Sequence, residues 1–93
     1  MTAASRTERL QALLSATFAP ATVVVQDDSQ KHQGHAGAAP GGETHYNVKV
    51  VSPVFAGQSR VARSRAAHAA VAAEFAAGLH ALALTLRTPE EER

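Results

Sequence analysis

The spacing of apolar residues predicts two helices. The first spans residues 7–17, where leucines recur with helical period behind Ser5 and Glu8, a pair at capping-box spacing. The second spans residues 59–77 and ends at Gly78, a residue type that favours helix termination. Its predicted inward stripe is formed by Val61, His68, Val71, Ala72 and Phe75.

Three short segments have the pattern of β-strands. Residues 21–27 are rich in β-branched side chains, and residues 43–52 alternate apolar with polar positions. Residues 79–87 carry leucines on one face. Between the first two strands, residues 28–42 contain four glycines, one proline and no large apolar side chain, which predicts a long and functional loop.

The predicted element order is α-β-β-α-β, an α+β fold. The first two strands should pair as an antiparallel hairpin, and the third should run parallel to the second, because strand–helix–strand crossovers are almost always right-handed. We therefore expect a three-stranded mixed sheet with both helices on one face. The chain of 93 residues is long enough for one domain, and we expect residues 1–5 and 88–93 to be flexible tails. One capped turn is the alternative for the C-terminal tail.

Composition narrows the classes of function. The net charge of +1 is too small to indicate nucleic-acid binding by bulk electrostatics. The chain has no cysteine, which excludes a disulfide, a thiol nucleophile and an all-thiolate cluster site within it. It also has no secretory apolar segment and no apolar run of the roughly 20 residues that span a bilayer. We expect a cytoplasmic protein with no membrane partner.

The predicted topology brings four of the five histidines to one edge of the sheet. His32 and His35 lie in the loop, His45 near the start of the second strand and His80 at the start of the third, whereas His68 lies apart in the second helix. Imidazole is a good ligand for iron, zinc or copper. A structural role is the alternative for His80, as a buried histidine on the core side, and for His45, as a hairpin hydrogen-bonding group.

Three arginines lie in the first two turns of the second helix, where cations oppose the helix dipole. Arg60, Arg63 and Arg65 are either a solvated face or a site for an anion, such as a partner's carboxylates, glutathione or a nucleic-acid phosphate. Adjacent Asp27 and Asp28 point to opposite sides of a strand end and make no paired-carboxylate site. No nucleophile–base set is visible, so we do not expect an enzyme.

Three motifs together resemble the BolA-like protein family. They are D-D-S-x-K-H-x-G-H-A-G at residues 27–37, G-E-T-H-Y-N-V-K-V-V-S-P-V-F-A-G-Q-S at 42–59, and G-L-H-A-L-A-L followed by T-P-E-E at 78–91. The resemblance covers the chain from residue 23 onward and implies an α-β-β-α-β fold related to type II KH domains. It also implies a non-catalytic partner of monothiol glutaredoxins in iron–sulfur cluster assembly, trafficking or iron regulation.

The resemblance further implies a bridged [2Fe–2S] cluster, with thiolates from glutaredoxin and glutathione and imidazole from this chain. The family's C-terminal histidine ligand matches His80. The second ligand comes from the loop, where counting from Ser29 favours His32 and counting back from Glu43 favours His35. We prefer His35, which stands between glycines and meets little steric hindrance.

The alternative function is a DNA-binding transcriptional regulator that uses the KH-like fold and the arginines of the second helix. One departure from the family weakens it, because this chain has Arg63-Ser64-Arg65 where the family commonly has Arg-His-Arg. For the isolated chain we expect no tightly bound cofactor and a monomer or weak homodimer.

Overall fold

The order of elements is α-β-β-α-β, as predicted, with the second helix divided in two. The computed structural model describes residues 4–28 and 44–93. Its elements are α1 (Arg6–Thr17), β1 (Thr22–Asp27), β2 (His45–Val51), a 3₁₀ turn (Pro53–Phe55), α2 (Arg60–Ala70), α3 (Ala72–Ala76) and β3 (Ala81–Arg87). Within these two ranges, no helix combines the length and apolar character that a membrane span requires.

The three strands form one mixed sheet in the order β1-β2-β3. β1 is antiparallel to β2, with Val25 opposite Val48, and β3 is parallel to β2, with Leu84 opposite the same Val48. The predicted hairpin and parallel crossover are both confirmed. Because β2 is central and β3 is parallel to it, the first residues of these two strands lie side by side.

The helices cover one face of the sheet and bury a small core against it. Alternate residues of β2 point into this core, and the intervening polar residues point to the opposite face. The Phe18 and Phe55 rings pack with centroids 4.8 Å apart. The buried apolar residues are Leu10, Leu14, Phe18, Tyr46, Val48, Val50, Phe55, Ala67, Val71 and Leu79.

Helix α1 begins with the predicted capping box. The Glu8 backbone N–H donates to Ser5 Oγ at 3.2 Å, and the Ser5 backbone N–H donates to Glu8 Oε1 at 3.3 Å. Leu10 and Leu14 are fully buried, whereas Leu13 is exposed. The inward stripe of α1 is therefore narrower than its leucine count suggests.

The second helix differs from the prediction in both continuity and buried face. It is interrupted at Val71, whose backbone ends α2 and begins α3. Three residues of the predicted inward stripe are exposed: Val61, His68 and Ala72. Two charged residues, Arg63 and Glu74, are buried on the inward face instead. Each has a counter-ion from a distant part of the chain, which an apolar pattern does not reveal.

Buried Glu74 joins α3 to α1. Its two carboxylate oxygens accept from Arg6 Nε at 2.9 Å and from Arg9 Nε at 2.8 Å. Arg6 Nη2 also donates to the Ala77 carbonyl at 2.9 Å. The hydrogen bond from Arg9, and that from Arg6, hold the pKa of Glu74 below its usual value although burial acts in the opposite direction. Just beyond, Gly78 has a φ of +123° that favours glycine.

Replacement of Glu74 by Gln should destabilise the fold by about 3 kcal/mol, because it leaves two guanidinium groups beside a neutral buried amide. Urea unfolding followed by circular dichroism measures the effect. Glu90→Gln is the matched control, since Glu90 is exposed. Equal unfolding midpoints for the two variants would contradict the structural role of the ion pairs that Glu74 forms with Arg6 and Arg9.

The C-terminal segment 88–92 is bonded to the domain and forms the capped turn that was the alternative to a flexible tail. Thr88 is buried, its N–H donates to Glu91 Oε1 at 2.8 Å, and the Glu91 N–H donates to Thr88 Oγ1 at 3.3 Å. Glu92 pairs with Lys49 and with Arg87. We call residues 88–92 the C-terminal clasp.

Candidate functional site

Two histidines from separate parts of the chain meet at one edge of the sheet. His45 is the first residue of β2, and His80 immediately precedes β3. The parallel register sets His45 opposite Ala81. As a result, the two imidazole rings lie with centroids 5.9 Å apart and planes inclined by 45°. The predicted convergence is confirmed for this pair, which we call the histidine pair.

Thr44 links the two histidines. Its carbonyl accepts from the His80 N–H at 2.8 Å and from the Ala81 N–H at 3.0 Å. Its Oγ1 lies 2.9 Å from His45 Nδ1. Thr44 itself is buried, with 5% of its surface exposed. A single buried residue thus holds the backbone of one histidine and the ring of the other.

The orientation of His80 differs from the prediction. Strand parity placed its ring on the core side, but His80 is exposed. The reason is that His80 precedes β3, so the alternation that governs Leu82 and Leu84 does not extend to it. This exposure contradicts the interpretation of His80 as a buried structural histidine and leaves its ring accessible to a partner. His45 is half-buried.

The predicted loop ligands His32 and His35 lie outside the described residues. Asp28 and Thr44 are the described residues on either side of the segment that contains these histidines. Each forms a hydrogen bond with a member of the histidine pair. The Asp28 N–H donates to the His45 carbonyl at 2.8 Å, and Thr44 holds His45 and His80 as above. Asp28 and Thr44, the described residues on either side of 29–43, therefore both lie beside the histidine pair.

His68 lies apart from the histidine pair, in α2, as predicted. It is exposed and not partly buried as expected. Its Nδ1 is 3.1 Å from the Ser64 carbonyl, and its ring stacks on Phe75 with centroids 5.7 Å apart. These contacts give His68 a local role in the helix and make it a suitable control residue.

The histidine pair provides nitrogen donors but an incomplete ligand set. If His45 Nδ1 carries the proton that is shared with Thr44 Oγ1, the lone pair of the ring is on Nε2, which is how a hydrogen bond to one ring nitrogen selects a tautomer. Within residues 4–28 and 44–93, no three histidine or acidic side chains are grouped to hold a metal ion. A metal centre at this edge therefore needs donors from elsewhere.

Replacing Thr44 with Val should release the His45 ring while leaving the backbone bonds to His80 in place. We expect the ¹⁵N resonance of His45 Nδ1 to move towards that of an unconstrained imidazole, with a loss of about 1 kcal/mol of stability for the missing hydrogen bond. Thr44→Ser keeps the hydroxyl and is the matched control. An identical Nδ1 resonance in all three proteins would show that Thr44 does not orient His45.

Arg63, a predicted anion-binding residue, is an internal structural residue. It is 8% exposed, and its guanidinium donates to the Gln58 and Leu86 carbonyls, each at 3.1 Å, and to Glu91 Oε1 at 2.6 Å. It also lies 5.7 Å from the centre of the Phe55 ring. The clasp therefore neutralises Arg63 from within the chain, which corrects its assignment to a partner site.

Arg60 and Arg65 are both exposed, but they do not form one patch. Residues five positions apart are separated by roughly 140° around a helix. With Arg63 buried between them in sequence, the three arginines present separate charges and not a continuous cationic face. The predicted anion-binding set is therefore reduced to two isolated arginines.

Arg63 also determines the ionisation of Glu91. Its hydrogen bonds, followed by the Thr88 N–H, lower the pKa of Glu91 from 4.5 to about 2. A carboxyl group whose pKa is lower in the folded than in the unfolded state stabilises the fold fully at pH values above its unfolded-state pKa. This contribution is lost as the pH falls towards the folded-state pKa. The ion pair should therefore stabilise the protein fully at neutral pH.

Glu91→Gln should be less stable than the unmodified protein at pH 7. The difference in the free energy of unfolding should disappear between pH 4.5 and about 2, where Glu91 becomes protonated in both states. Urea titrations across this pH range measure it, with Glu90→Gln as the control for loss of a surface charge. A stability difference that does not change with pH would contradict the Arg63–Glu91 pairing.

A mixed three-stranded sheet with helices on one face, and two histidines that meet at one edge of the sheet, define a small α+β class of protein. A model of the BolA-like protein family matches residues 14–91. The chain belongs to the BolA-like protein family.

Known relatives agree with this assignment. The chain is 38% identical to "Protein BOLA1, chloroplastic" of Arabidopsis thaliana, over 94% of its own length and 56% of that protein. It is 43% identical to the "Uncharacterized protein in cobS 5'region" of Sinorhizobium sp, over 94% and 95% of the two chains. The solved BolA domain of SufE1 from Arabidopsis thaliana superposes with a TM-score of 0.82 and 37% identity, covering 97% and 99%. The chain thus spans little more than half of the plant BOLA1 protein.

Proposed function

We propose that this chain is a non-catalytic adaptor for a monothiol glutaredoxin, with imidazole ligands for a [2Fe–2S] cluster that glutaredoxin and glutathione share. The observation that carries the proposal is the exposed His80 beside His45, in a chain that has no cysteine. Membership of the BolA-like family supports it. The cellular role would be cluster assembly, trafficking or iron regulation, in the cytoplasm.

The ligand chemistry of the histidine pair explains why a partner is needed. Biological [2Fe–2S] clusters are held by four thiolates or by a mixture of thiolates and imidazoles. This chain offers imidazole alone, so it would complete a cluster site and not create one. In the proposal, His80 is the first ligand and His35 is the second, with His32 as the alternative in the loop. When bound, such a cluster supplies one-electron redox chemistry and visible absorption.

The setting of His80 suits a shared site. Its ring is exposed and its backbone is held by the Thr44 carbonyl, so a partner could approach without repacking the core. His45 lies close enough to affect the position and hydration of the His80 ring. Since imidazole binds metal in its neutral form, ligation by histidine competes with protonation near neutral pH. We therefore propose that the shared site responds to pH.

Reconstitution with a monothiol glutaredoxin and glutathione tests the proposal. The complex should give a visible circular dichroism spectrum that differs from that of glutaredoxin alone. His80→Ala and His35→Ala should each lose this difference, whereas His68→Ala should retain it, because His68 lies in α2. His32→Ala distinguishes the two loop histidines.

An unchanged spectrum in both His80→Ala and His35→Ala would refute the ligand assignment. Failure of the unmodified chain to bind glutaredoxin would refute the adaptor role itself. We propose that the isolated chain is a monomer or weak homodimer without a tightly bound cluster, and iron analysis with size-exclusion chromatography provides the baseline for both outcomes.

A further inference from the structure

A groove with a volume of about 580 Å³ lies between α2 and the C-terminal half of β3. One wall is formed by Arg60, Arg63 and Ser64, the other by residues 84–87, and Glu91 also lines it. The histidine pair is at the opposite end of β3, where the strand begins. The groove is thus separate from the proposed cluster site.

The outer edge of β3 borders this groove. Within the described ranges β3 pairs only with β2, so it is an edge strand. The Arg87 carbonyl accepts from the Ser52 N–H at 2.9 Å, on the side of β2. Because backbone groups alternate in direction along a strand, those of Leu84 and Leu86 point outward. Arg63 Nη1 already donates to the Leu86 carbonyl at 3.1 Å, so an added strand would bond to the outward groups of Leu84 and to the Leu86 N–H.

Arg60 gives the groove a positive charge that no described carboxylate neutralises. Three arginines line the groove, but Arg63 is paired with Glu91 and Arg87 with Glu92. Arg63 binds the carboxylate of Glu91 at 2.6 Å, so the groove already accommodates one carboxylate from the chain itself. Arg60 is exposed, and no acidic group in residues 4–28 or 44–93 forms an ion pair with it. The wall formed by α2 therefore presents a positive charge that a bound acidic group would neutralise.

We propose that this groove binds an extended acidic peptide segment, which adds as a fourth strand to the outer edge of β3 and sets a carboxylate against Arg60. An exposed strand edge provides main-chain hydrogen bonds for such a segment, and the arginines provide selectivity for its side chains. Single-stranded nucleic acid fits less well, because none of the lining residues is aromatic and bases bind to such grooves largely by stacking.

Fluorescence anisotropy with the full chain and a labelled decapeptide of alternating valine and glutamate tests the charge requirement. Arg60→Ala should weaken binding about fivefold or more through loss of a charge-assisted contact. Arg65→Ala is the matched control, because Arg65 is an exposed arginine of the same helix that does not line the groove. Equal weakening by the two variants would overturn the proposed site.

Backbone N-methylation of the same peptide tests strand addition. One isomer carries methyl groups on the valine nitrogens and the other on the glutamate nitrogens. Since only one edge of an added strand faces β3, one isomer should lose binding and the other should retain it. Any other result would overturn the proposal.

A labelled oligothymidylate of matched length tests the competing ligand. If it binds more tightly than the peptide, with salt-dependent affinity that is lost in Arg60→Ala, the groove is a nucleic-acid site and the peptide proposal is wrong. Weaker binding than that of the peptide supports the proposal.

Discussion

The parallel pairing of β2 with β3 is the constraint on which the rest of the structure depends. Parallel neighbours require a crossover, which here carries α2 and α3 over one face and closes the core. The same pairing aligns the starts of the two strands, so residues 35 positions apart in sequence come together as the histidine pair. An antiparallel third strand would separate His80 from His45 by the length of the sheet. The histidine pair and the core thus both depend on the parallel pairing of β2 with β3.

Buried charge pairs complete a core that is poor in large apolar side chains. Glu74 joins α3 to α1 through Arg6 and Arg9, and Glu91 of the clasp reaches Arg63. Removal of either glutamate leaves a buried arginine, Arg6 or Arg63, without its counter-ion. These pairs therefore fix contacts between distant parts of the chain, although the driving force for burial remains apolar.

The strand patterns could be predicted from the sequence, whereas the charge pairs could not. Alternation in β2 and the crossover rule were sufficient for the element order, strand directions and the meeting of His45 with His80. The inward face of α2 was not predictable from apolar periodicity. It contains Arg63, a charged residue whose counter-ion lies 28 positions away in the sequence. The T-P-E-E motif at 88–91 was the available signal, since its spacing is that of a capping box. The burial of His80 was predicted wrongly because β3 begins at Ala81, so the alternation of the strand does not include His80.

The two ends of β3 can be occupied at the same time. The histidine pair lies at the start of a seven-residue strand and the acidic-peptide groove at its end, a separation of roughly 20 Å at the rise of an extended chain. A ligand confined to residues 84–87 does not reach the histidine pair, so coupling between the two ends would pass through β3 or through α2, which contacts it. Arg63 bonds to both the Leu86 carbonyl and Glu91 of the clasp, so a shift of the groove wall formed by α2 would reach the strand through this residue.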